Sequence, residues 1–412
     1  CNNVQHTRDI DSYLNIIVDC CNRAAQRTIP LQRRKKKVAF WNERVAPLKQ
    51  KSVFWHRIWT ENGKPPCGLL FDLKKKAKDD YKRESRNVMR NQKKLSSERM
   101  ACALAESRTR DLWNEVKRKR SRNAPVPERV DDAQGGSEVC DLFARKYEHL
   151  YNSVKFDPHD MNAILSDVNN QIVSKCCSGN CYNGHNVTVS KVSDAVKSLK
   201  MGKSDSIEGM FSDHIIHGCQ ELYIHVSFLF NCMLSHSFVP REMLVSTLVP
   251  ITKSKRKSLC DSENYRSIAL SSIVGKVLDK VFLADHATVL MTSDLQFGFK
   301  RKHATTQCTF VLQQVIDHYT RNKSKCFVIL LDASKAFDRV EYARLFKLLC
   351  GRGLCPRVVK LLAAMYTNQQ MNVRWKGILS NVFKCEIGVK QGVVLSPTLF
   401  CVYFDELLCK LS

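Results

Sequence analysis

Apolar side chains at helical spacing dominate the first third of the chain. Residues 10–27 carry them every three or four positions, which predicts a helix with one apolar face. Residues 38–120 show this spacing among many lysines and arginines, with an interruption at the two prolines at 65–66. Residues 138–152 return to the same pattern. The front of the chain is therefore predicted to be a series of helices, several of them long and basic.

The pattern changes at about residue 244, where short apolar runs begin to alternate with helical segments. Residues 244–252 and the run YRSIALSS have the length and composition of strands, and residues 304–320 have helical spacing. The uninterrupted apolar run Phe327–Leu331 ends in Asp332, as expected for a strand that is buried on both faces and carries an acid at its carboxyl end. Strands mixed with helices predict an α+β fold.

Helix-start and hairpin signals follow this predicted strand. Asp338 and Glu341 precede an apolar run in the manner of a capping box, so Asp338 is predicted to be the N-terminal cap of a helix. The alternating runs at 371–375 and 383–387 predict a hairpin. Ser396, which a proline follows, predicts the start of a last helix.

The charge of the chain is strongly positive and unevenly distributed. Lysine and arginine number 66 against 40 aspartates and glutamates, which gives a net charge of +26. Residues 1–130 hold 32 basic and 14 acidic residues, so most of the excess lies in the predicted basic helices. A polyanionic partner, nucleic acid above all, is one explanation, and a basic surface that serves solubility is the other.

Aromatic residues are interleaved with this basic sequence, namely Trp41, Phe54, Trp55 and Trp59. Their rings can stack on bases while the neighbouring cations hold phosphates. The alternative is that the rings pack one helix against another. The sequence leaves both interpretations open.

Cysteine usage and hydropathy indicate a reduced protein without a membrane span. The 19 cysteines are scattered, the chain does not open on an apolar signal segment, and no apolar run approaches ~20 residues. We therefore expect a protein of the cytoplasm or the nucleus. A polar loop carries Cys176, Cys177, Cys181 and His185, but their spacing differs from that of the usual zinc sites, so we expect no metal there.

Asp332 is the first candidate for chemistry. An acid at the open end of a buried strand faces the space beyond the sheet, where it can ligate a hard divalent cation that bridges phosphate oxygens. The alternative is that Asp332 only terminates the strand with a polar side chain. A lone acid at a strand end does not decide between the two.

Four motifs occur in order with loop-sized gaps between them: YRSIALSS, LQFGFKRKHATTQ, FVILLDASKAFDRV and GVKQGVVLSPTLF. With them the chain resembles the reverse transcriptases of non-LTR (LINE-like) retrotransposons, specifically those of animal endonuclease–reverse transcriptase polyproteins. The resemblance runs from about residue 140 to the end and is most specific from 248 to 400. It implies RNA-directed DNA synthesis by a right-hand polymerase, of which this chain holds the fingers and an incomplete palm.

The resemblance also implies a catalytic centre around Asp332. This residue matches the first metal-binding aspartate of the palm, and the carbonyl of Ala333 would complete the shell of that metal. Two Mg²⁺ ions would activate the primer 3′-hydroxyl and neutralise the leaving pyrophosphate. Phe337 matches the aromatic steric gate that excludes a 2′-hydroxyl.

Further matches concern the nucleotide and the template. The nucleotide-binding residues implied are Lys253 and Arg266 as cations of the fingers, Lys335 and Ala336 through their amides, and Gln391 and Gly392 beneath the incoming nucleotide. The template-contacting loop matches Gly202, Lys203, Ser204 and Asp205. Without the resemblance, the two fingers cations would be interpreted as solvated surface charges and the Gln-Gly pair as an ordinary turn.

The resemblance divides the chain into three parts. Residues 1–130 match the basic linker that follows an endonuclease, 131–243 match the N-terminal extension of the reverse transcriptase, and 244–412 match the fingers and partial palm. The family places a paired-aspartate turn on a hairpin beyond the last helix seen here, and then a thumb. We therefore expect a C-terminally truncated fragment that cannot polymerise DNA by itself, because one carboxylate cannot hold two metals.

Two functions remain open at this point. Target-primed reverse transcription would use an RNA template, a DNA primer or target and deoxynucleoside triphosphates. The alternative is a non-catalytic, nucleic-acid-binding remnant of a retroelement. The sequence leaves the oligomeric state, the target site and the template RNA undetermined.

Overall fold

The computed structural model describes residues 4–29, 44–120, 127–154, 157–176, 186–204, 209–254, 256–300 and 302–411. These residues form two compact units. The first unit holds the described residues up to position 30 and from position 127 onward, and the second holds the described residues between them. The three functional parts expected from the resemblance stay a prediction.

The described helices are α1 (Val4–Thr28), α2 (Val45–Glu61), α3 (Leu69–Arg90), α4 (Gln92–Ala105), α5 (Thr109–Arg120), α6 (Gly136–Tyr151), α7 (Pro158–Gln171), α8 (Val189–Lys197), α9 (Ser212–Ile216), α10 (Gln220–His236), α11 (Arg241–Leu244), α12 (Ile273–Asp285), α13 (Thr305–Arg321), α14 (Tyr342–Gly351), α15 (Pro356–Thr367) and α16 (Ser396–Leu411). The described strands are β1 (Arg129–Val130), β2 (Ala133–Gln134), β3 (Val245–Thr252), β4 (Tyr265–Leu270), β5 (Gln370–Trp375), β6 (Ile378–Leu379) and β7 (Phe383–Lys384). Among the residues described, no helix has both the length and the apolar character needed to cross a membrane.

The second unit consists of the basic helices α2 to α5. The Trp59 indole on α2 donates a hydrogen bond to the carbonyl of Pro65 (2.9 Å), and the Lys74 ammonium on α3 lies 3.7 Å from the centre of the Trp59 ring. Trp59 thus packs between two helices, which favours the packing interpretation for this ring. Trp41 lies outside the described residues. The prediction of long basic helices is confirmed.

A mixed sheet forms the centre of the first unit. Its strand order is β4-β3-β5-β6, and β7 also pairs with β5. β3 runs antiparallel to β4, with Ile251 opposite Arg266, and parallel to β5, with Val245 opposite Gln370. The two predicted strands are therefore confirmed. The predicted hairpin is confirmed as well, since β6 and β7 both pair antiparallel with β5.

Helices cover this sheet and build the rest of the core. The Phe143 ring of α6 lies 5.1 Å from the ring of Tyr265 in β4 and 5.2 Å from that of Trp375 in β5, and all three are buried. A second apolar cluster joins α1, α8, α10 and α12, and a third joins α7, α14, α15 and α16. The arrangement is α+β, as the pattern of strands and helices predicted.

The strand predicted at Phe327–Leu331 is not formed. These residues have no strand partner among the described residues, and Phe327, Leu330 and Leu331 are each more than 80% exposed. An apolar run has strand character only when a neighbouring strand accepts its backbone hydrogen bonds and covers its side chains. The segment has the apolar composition of a strand, but the prediction of a strand is wrong. A local sequence pattern does not show whether a partner strand lies beside it.

The prediction that Asp338 caps a helix is also wrong. Helix α14 starts at Tyr342 with Glu341 in the cap position, and the Glu341 side chain makes no capping hydrogen bond. Asp338 lies instead in a 3-10 turn, Phe337–Arg339, and is buried. Its burial explains the difference, since the carboxylate has an alternative hydrogen-bond donor in a neighbouring loop.

Candidate nucleotide-binding site

A tight turn follows the exposed segment and brings Asp338 inward. Lys335 has a φ of 55°, in the left-handed region, and its carbonyl accepts a hydrogen bond from the Asp338 amide (3.0 Å). A non-glycine residue in this region is uncommon and indicates a conformation fixed by its surroundings. The exposed Lys335 side chain and the buried Asp338 side chain therefore lie on opposite sides of one turn.

The loop that carries the GVKQG motif is held against this turn. The amide of Gly388 donates to the carbonyl of Val340 (2.8 Å), and the amide of Val389 donates to the carbonyl of Phe337 (2.8 Å). Gly388 has a φ of 90°, and a Cβ atom there would lie 2.7 Å from the Asp338 carbonyl oxygen. Only glycine permits such close backbone approach, which explains the residue at this position.

The other end of the loop is fastened to the sheet. The carbonyl of Gln391 accepts a hydrogen bond from the amide of Ala269 in β4 (2.7 Å). Gly392 has a φ of 99°, and a Cβ atom there would lie 3.1 Å from Ile268 and 3.2 Å from the Ala269 carbonyl oxygen. Gln391 is thus fixed between the turn and the strand that carries Arg266.

Asp338 and Gln391 form the central contact of the site. The Gln391 Nε2 atom lies 3.3 and 3.2 Å from the two carboxylate oxygens of Asp338. Burial raises the pKa of the Asp338 carboxyl above its ordinary value, while the neighbouring Tyr151 hydroxyl, the Gln391 amide and the charges of Lys335 and Lys253 act in the opposite direction. The contact therefore joins the family motif around position 332 to the motif around position 391.

Three lysines lie near the Asp338 carboxylate or the neighbouring carboxylate of Glu263. The Lys253 ammonium donates to the carbonyl of Glu263 (2.8 Å), and the Lys146 ammonium lies 2.7 Å from the Glu263 carboxylate. The hydrogen bond from Lys146 lowers the pKa of the Glu263 carboxyl, and Lys335 and Lys253 lower it further. Lys253 and Lys335 thus act on the same two carboxylates, Glu263 and Asp338, and lie in one electrostatic environment.

Arg266 projects from β4 beside this cluster. Arg266 is exposed and lies two positions before Ile268. A Cβ atom added at Gly392 would contact Ile268. Residues two apart on a strand share a face of the sheet, so Arg266 and the Gly392 contact lie on the same side. In the described part of the chain, the Arg266 guanidinium makes no ion pair, so its charge is available to a ligand.

Phe337 is held in an aromatic cluster. Its ring stacks on Phe400 of α16 with centres 4.6 Å apart, and it meets Phe299 edge to face at 5.7 Å. Packing on two sides fixes the ring while leaving it half-exposed. A wall of this kind has the rigidity that selection between two sugars would need.

Asp332 is exposed on the segment that was predicted to be a strand. Its carboxylate makes no hydrogen bond or ion pair with the other described residues, and these contain no group of three or more His, Cys, Asp or Glu side chains that could hold a metal. Mg²⁺ is usually held by one or two carboxylates together with phosphate oxygens. Asp332 and the Ala333 carbonyl would provide ligands on one side only, so the described residues do not by themselves fit a two-metal site.

The loop matched to template binding is closed by hydrogen bonds to α9. The amide of Gly202 donates to the Asp213 carboxylate (2.7 Å), the amide of Lys203 donates to the Ser212 hydroxyl (3.1 Å), and Ser204 pairs with Phe211. The Lys203 side chain is exposed. Asp205 lies outside the described residues.

The predicted cysteine loop is described only in part. Cys176 lies 3.9 Å from Cys355, sulfur to sulfur, and none of the described cysteines forms a disulfide. Cys177, Cys181 and His185 lie outside the described residues.

Two residues of the site were not identified from the sequence. Asp338 was assigned to a cap because its spacing fits one, and Lys390 was not considered. Lys390 lies between Val389 and Gln391 and is buried. No local pattern marks Lys390 as buried, because residues 387–390 are all buried and do not alternate.

The comparisons with known proteins agree with the geometry. Residues 251–412 match the family described as "Reverse transcriptase (RNA-dependent DNA polymerase)". The chain is 23% identical, over 98% of its length, to the RNA-directed DNA polymerase from mobile element jockey of Drosophila funebris, of which it covers 44%. It is 26% identical, over 54% of its length, to the probable RNA-directed DNA polymerase from transposon BS of Drosophila melanogaster, of which it covers 25%.

A third relative is the retrovirus-related Pol polyprotein from type-1 retrotransposable element R2 of Popillia japonica, 26% identical over 44% of this chain and 25% of that protein. The chain spans less than half the length of these relatives. The resemblance to the reverse transcriptases of non-LTR, LINE-like retrotransposons is confirmed. Residues 251–412 are thus similar to the RNA-directed DNA polymerases, a family of nucleotidyltransferases.

Proposed function

We propose that the chain supplies the fingers and the first part of the palm of an RNA-directed DNA polymerase from a non-LTR retrotransposon, used in target-primed reverse transcription. One observation carries this proposal. The contact between Gln391 and Asp338 joins two family motifs 53 positions apart, beside Lys253 and Lys335. Four motifs that occur in order along the chain thus correspond to one local arrangement.

In this proposal the triphosphate of the incoming nucleotide lies over β4 and the turn at 335–336. Arg266 presents a guanidinium that makes no ion pair with the described residues and whose planar donors suit phosphate, and Lys253 and Lys335 add positive charge nearby. The amides of Lys335 and Ala336 would donate to the same group. Gly392 keeps the surface beside Ile268 open, because any side chain there would fill it.

The sugar would rest against Phe337. The ring is supported by Phe299 and Phe400, so it cannot retreat from an added 2′-hydroxyl without disturbing both neighbours. Phe337 thereby acts as the steric gate and favours deoxynucleotides. The RNA template and the DNA primer would be the polyanionic partners whose binding the net charge of +26 favours.

Divalent ions belong to the chemistry of the family, and we propose Mg²⁺. On this chain, Asp332 and the Ala333 carbonyl are the groups that would contribute to holding it. The remaining ligands would have to come from the nucleotide and from elsewhere in the polymerase, so we expect residues 1–412 alone to bind substrates without extending a primer.

Nucleotide binding can be tested directly on the 412-residue chain. With an RNA–DNA template–primer and Mg²⁺ present, 4-thio-dTTP should cross-link to the chain under ultraviolet light in a saturable way. Arg266→Ala should raise the half-saturating concentration about tenfold or more, since a charge-assisted contact contributes about 1.5–3 kcal/mol. Lys257→Ala is the matched control, because Lys257 is an exposed cation of the same β3–β4 connection. Equal effects of the two substitutions would contradict the proposal.

The same assay tests the gate. Unlabelled dTTP should displace the probe far better than ribothymidine triphosphate does, and Phe337→Ala should remove this difference while leaving dTTP competition intact. Undiminished sugar discrimination in Phe337→Ala would show that the gate is assigned to the wrong residue.

A second candidate is a non-catalytic nucleic-acid-binding protein. The observation that favours it is the single exposed carboxylate, Asp332, among the described residues that match the catalytic centre. Salt-dependent RNA binding combined with a failure of 4-thio-dTTP to cross-link would support this candidate over the polymerase.

A further inference from the structure

The candidate nucleotide loop contains a buried lysine. Lys390 is only 9% exposed, and its ammonium donates a hydrogen bond to the hydroxyl of Ser246 in β3 (2.9 Å). Ser246 is fully buried. Lys390 and Gln391 are neighbours in sequence, yet one side chain enters the core while the other reaches Asp338.

An acid from a different element lies near this ammonium. Asp279 projects from α12, is 4% exposed, and lines a cavity of about 30 Å³ together with Lys390, Ser271, Tyr366 and Gln369. Such a volume holds one or two water molecules. The cavity is thus a polar space between α12, α15 and the loop, with two titratable side chains in its wall.

Unsatisfied polar atoms distinguish this cavity from an ordinary packing defect. Among the described residues, neither the Ser271 hydroxyl nor the Gln369 Oε1 atom has a hydrogen-bond partner, although both are buried. The Gln369 amide nitrogen reaches the carbonyl of Gly388 (3.4 Å) and the hydroxyl of Tyr342. The polar wall is therefore connected to the first residue of the loop.

Burial shifts the pKa of each of these two groups, Asp279 and Lys390, toward its neutral form. Desolvation raises the pKa of the Asp279 carboxyl to about 7, against the opposing effects of Lys390, the Leu395 backbone and Lys276. Desolvation lowers the pKa of the Lys390 ammonium to about 8, against the opposing effects of Cys385 and Asp279.

The other titratable groups around the pair are few. Tyr366 of α15 faces Asp279, and burial raises the pKa of its hydroxyl well above the usual value. Cys385 lies near Lys390, and burial raises the pKa of its thiol to about 12. Neither group ionises near neutrality, so between pH 6 and 9 the electrostatics of the cavity depend on Asp279 and Lys390.

We propose that Lys390, through its buried hydrogen bond to Ser246 and its place in the wall of the polar cavity, forms an anchor that holds the loop at 388–392 and thereby directs Gln391 toward Asp338 in the nucleotide site. Lys390 is a positioning residue in this scheme, since it acts through Gln391 and not on the substrate. The backbone bonds at Gly388, Val389 and Gln391 fix the ends of the loop, and the anchor fixes the direction in which its side chains point. The effect of the anchor on nucleotide binding rests on the proposed function, whereas the anchor itself rests only on the geometry.

The anchor is tested first by hydrogen exchange, which needs no nucleotide. In Lys390→Met, the amides of residues 389–392 should exchange about tenfold faster or more, while those of β3 keep their protection. Lys390→Arg should restore most of the loop protection because it keeps a donor for the Ser246 hydroxyl, and Ser246→Ala should loosen the loop as Lys390→Met does. Lys347→Met is the control, since Lys347 is exposed on α14. Unchanged loop protection in Lys390→Met, or an equal decrease throughout β3, would overturn the anchor.

Cross-linking of 4-thio-dTTP then links the anchor to the nucleotide. The half-saturating concentration should rise about tenfold in Lys390→Met, a change equivalent to about 1.4 kcal/mol, and Lys390→Arg should recover it. Failure of the unsubstituted chain to cross-link would refute the proposed function while the exchange data still decide the anchor. Normal cross-linking by Lys390→Met would refute the positioning role alone.

Discussion

At the scale of single residues, the candidate site depends on a carboxylate that forms a hydrogen bond inside the protein. The Asp338 carboxyl is buried, and the polar side chains of Gln391 and Tyr151 that lie against it are neutral. Neutral donors compensate a buried charge incompletely, which is why burial raises the pKa of this group. The hydrogen bond of Asp338 therefore stabilises the fold, whereas its buried charge destabilises the fold. Substitutions can separate the two effects.

Asp338→Ala should lower the free energy of unfolding by about 1–3 kcal/mol, because the Gln391 amide loses its acceptor in a site with little water. Asp338→Asn should cost much less, since it keeps an acceptor and removes the buried charge. Urea denaturation at pH 7 measures both. Asp294→Ala provides the contrast, because Asp294 is fully exposed and its ion pair with Lys300 should contribute nothing measurable. Equal stability losses in Asp338→Ala and Asp338→Asn would show that the charge, and not the hydrogen bond, holds the contact.

Asp279 predicts a specific dependence of stability on pH. Its pKa rises from 3.8 to about 7 on folding, so between these values the folded state binds more protons than the unfolded state. The contribution of this group to stability is therefore fully present below about pH 4 and is lost as the pH rises through 7. Asp279→Asn should remove that decline. The free energy of unfolding of the variant minus that of the unsubstituted chain should rise from pH 4 to pH 7, and a flat difference would contradict the assignment.

At the scale of helices and strands, the sequence predicted most elements whose partners are local or follow from periodicity. The start of α16 at Ser396 and the pairing of β5 with its hairpin partners agree with their signals. The failures concern tertiary partners. No local pattern states whether residues 327–331 have a neighbouring strand or whether Asp338 faces a glutamine from 53 positions away.

The exposed segment predicts self-association. Phe327, Ile329, Leu330 and Leu331 are each more than 80% exposed in an extended run. Exposed apolar backbone of this kind is a template for pairing between chains. Ile329→Lys combined with Leu331→Lys should therefore reduce the aggregated fraction measured by light scattering at micromolar concentration.

A charge-matched control separates this effect from simple repulsion. Asn322→Lys combined with Ser324→Lys adds the same charge in the exposed turn just before the segment. An equal reduction of aggregation by both double substitutions would show that net charge, and not the apolar run, controls self-association.

At the scale of the whole molecule, charge and chemistry are divided between the two compact units. The candidate nucleotide site lies within the first unit, whereas α2 to α5 of the second unit are dense in exposed lysine and arginine. Trp59 is occupied by helix packing and by Lys74, so the aromatic argument for base stacking is weaker in this unit than the electrostatic one. The second unit should accordingly bind nucleic acid through phosphates and with little sequence preference.

Three exposed lysines on α3, namely Lys75, Lys76 and Lys78, provide the test of this division. Replacing all three by glutamine should lower the affinity for single-stranded RNA and reduce the slope of log K against log salt by up to about 2, or about 0.7 for each phosphate that is no longer neutralised. The same triple change at exposed lysines of the first unit, Lys197, Lys347 and Lys376, removes an equal charge far from the α3 sequence. If both triple variants changed the slope alike, net charge alone would govern RNA binding. A change confined to the α3 variant would assign the phosphate-binding surface to the second unit, leaving the loop at 388–392 to serve the nucleotide.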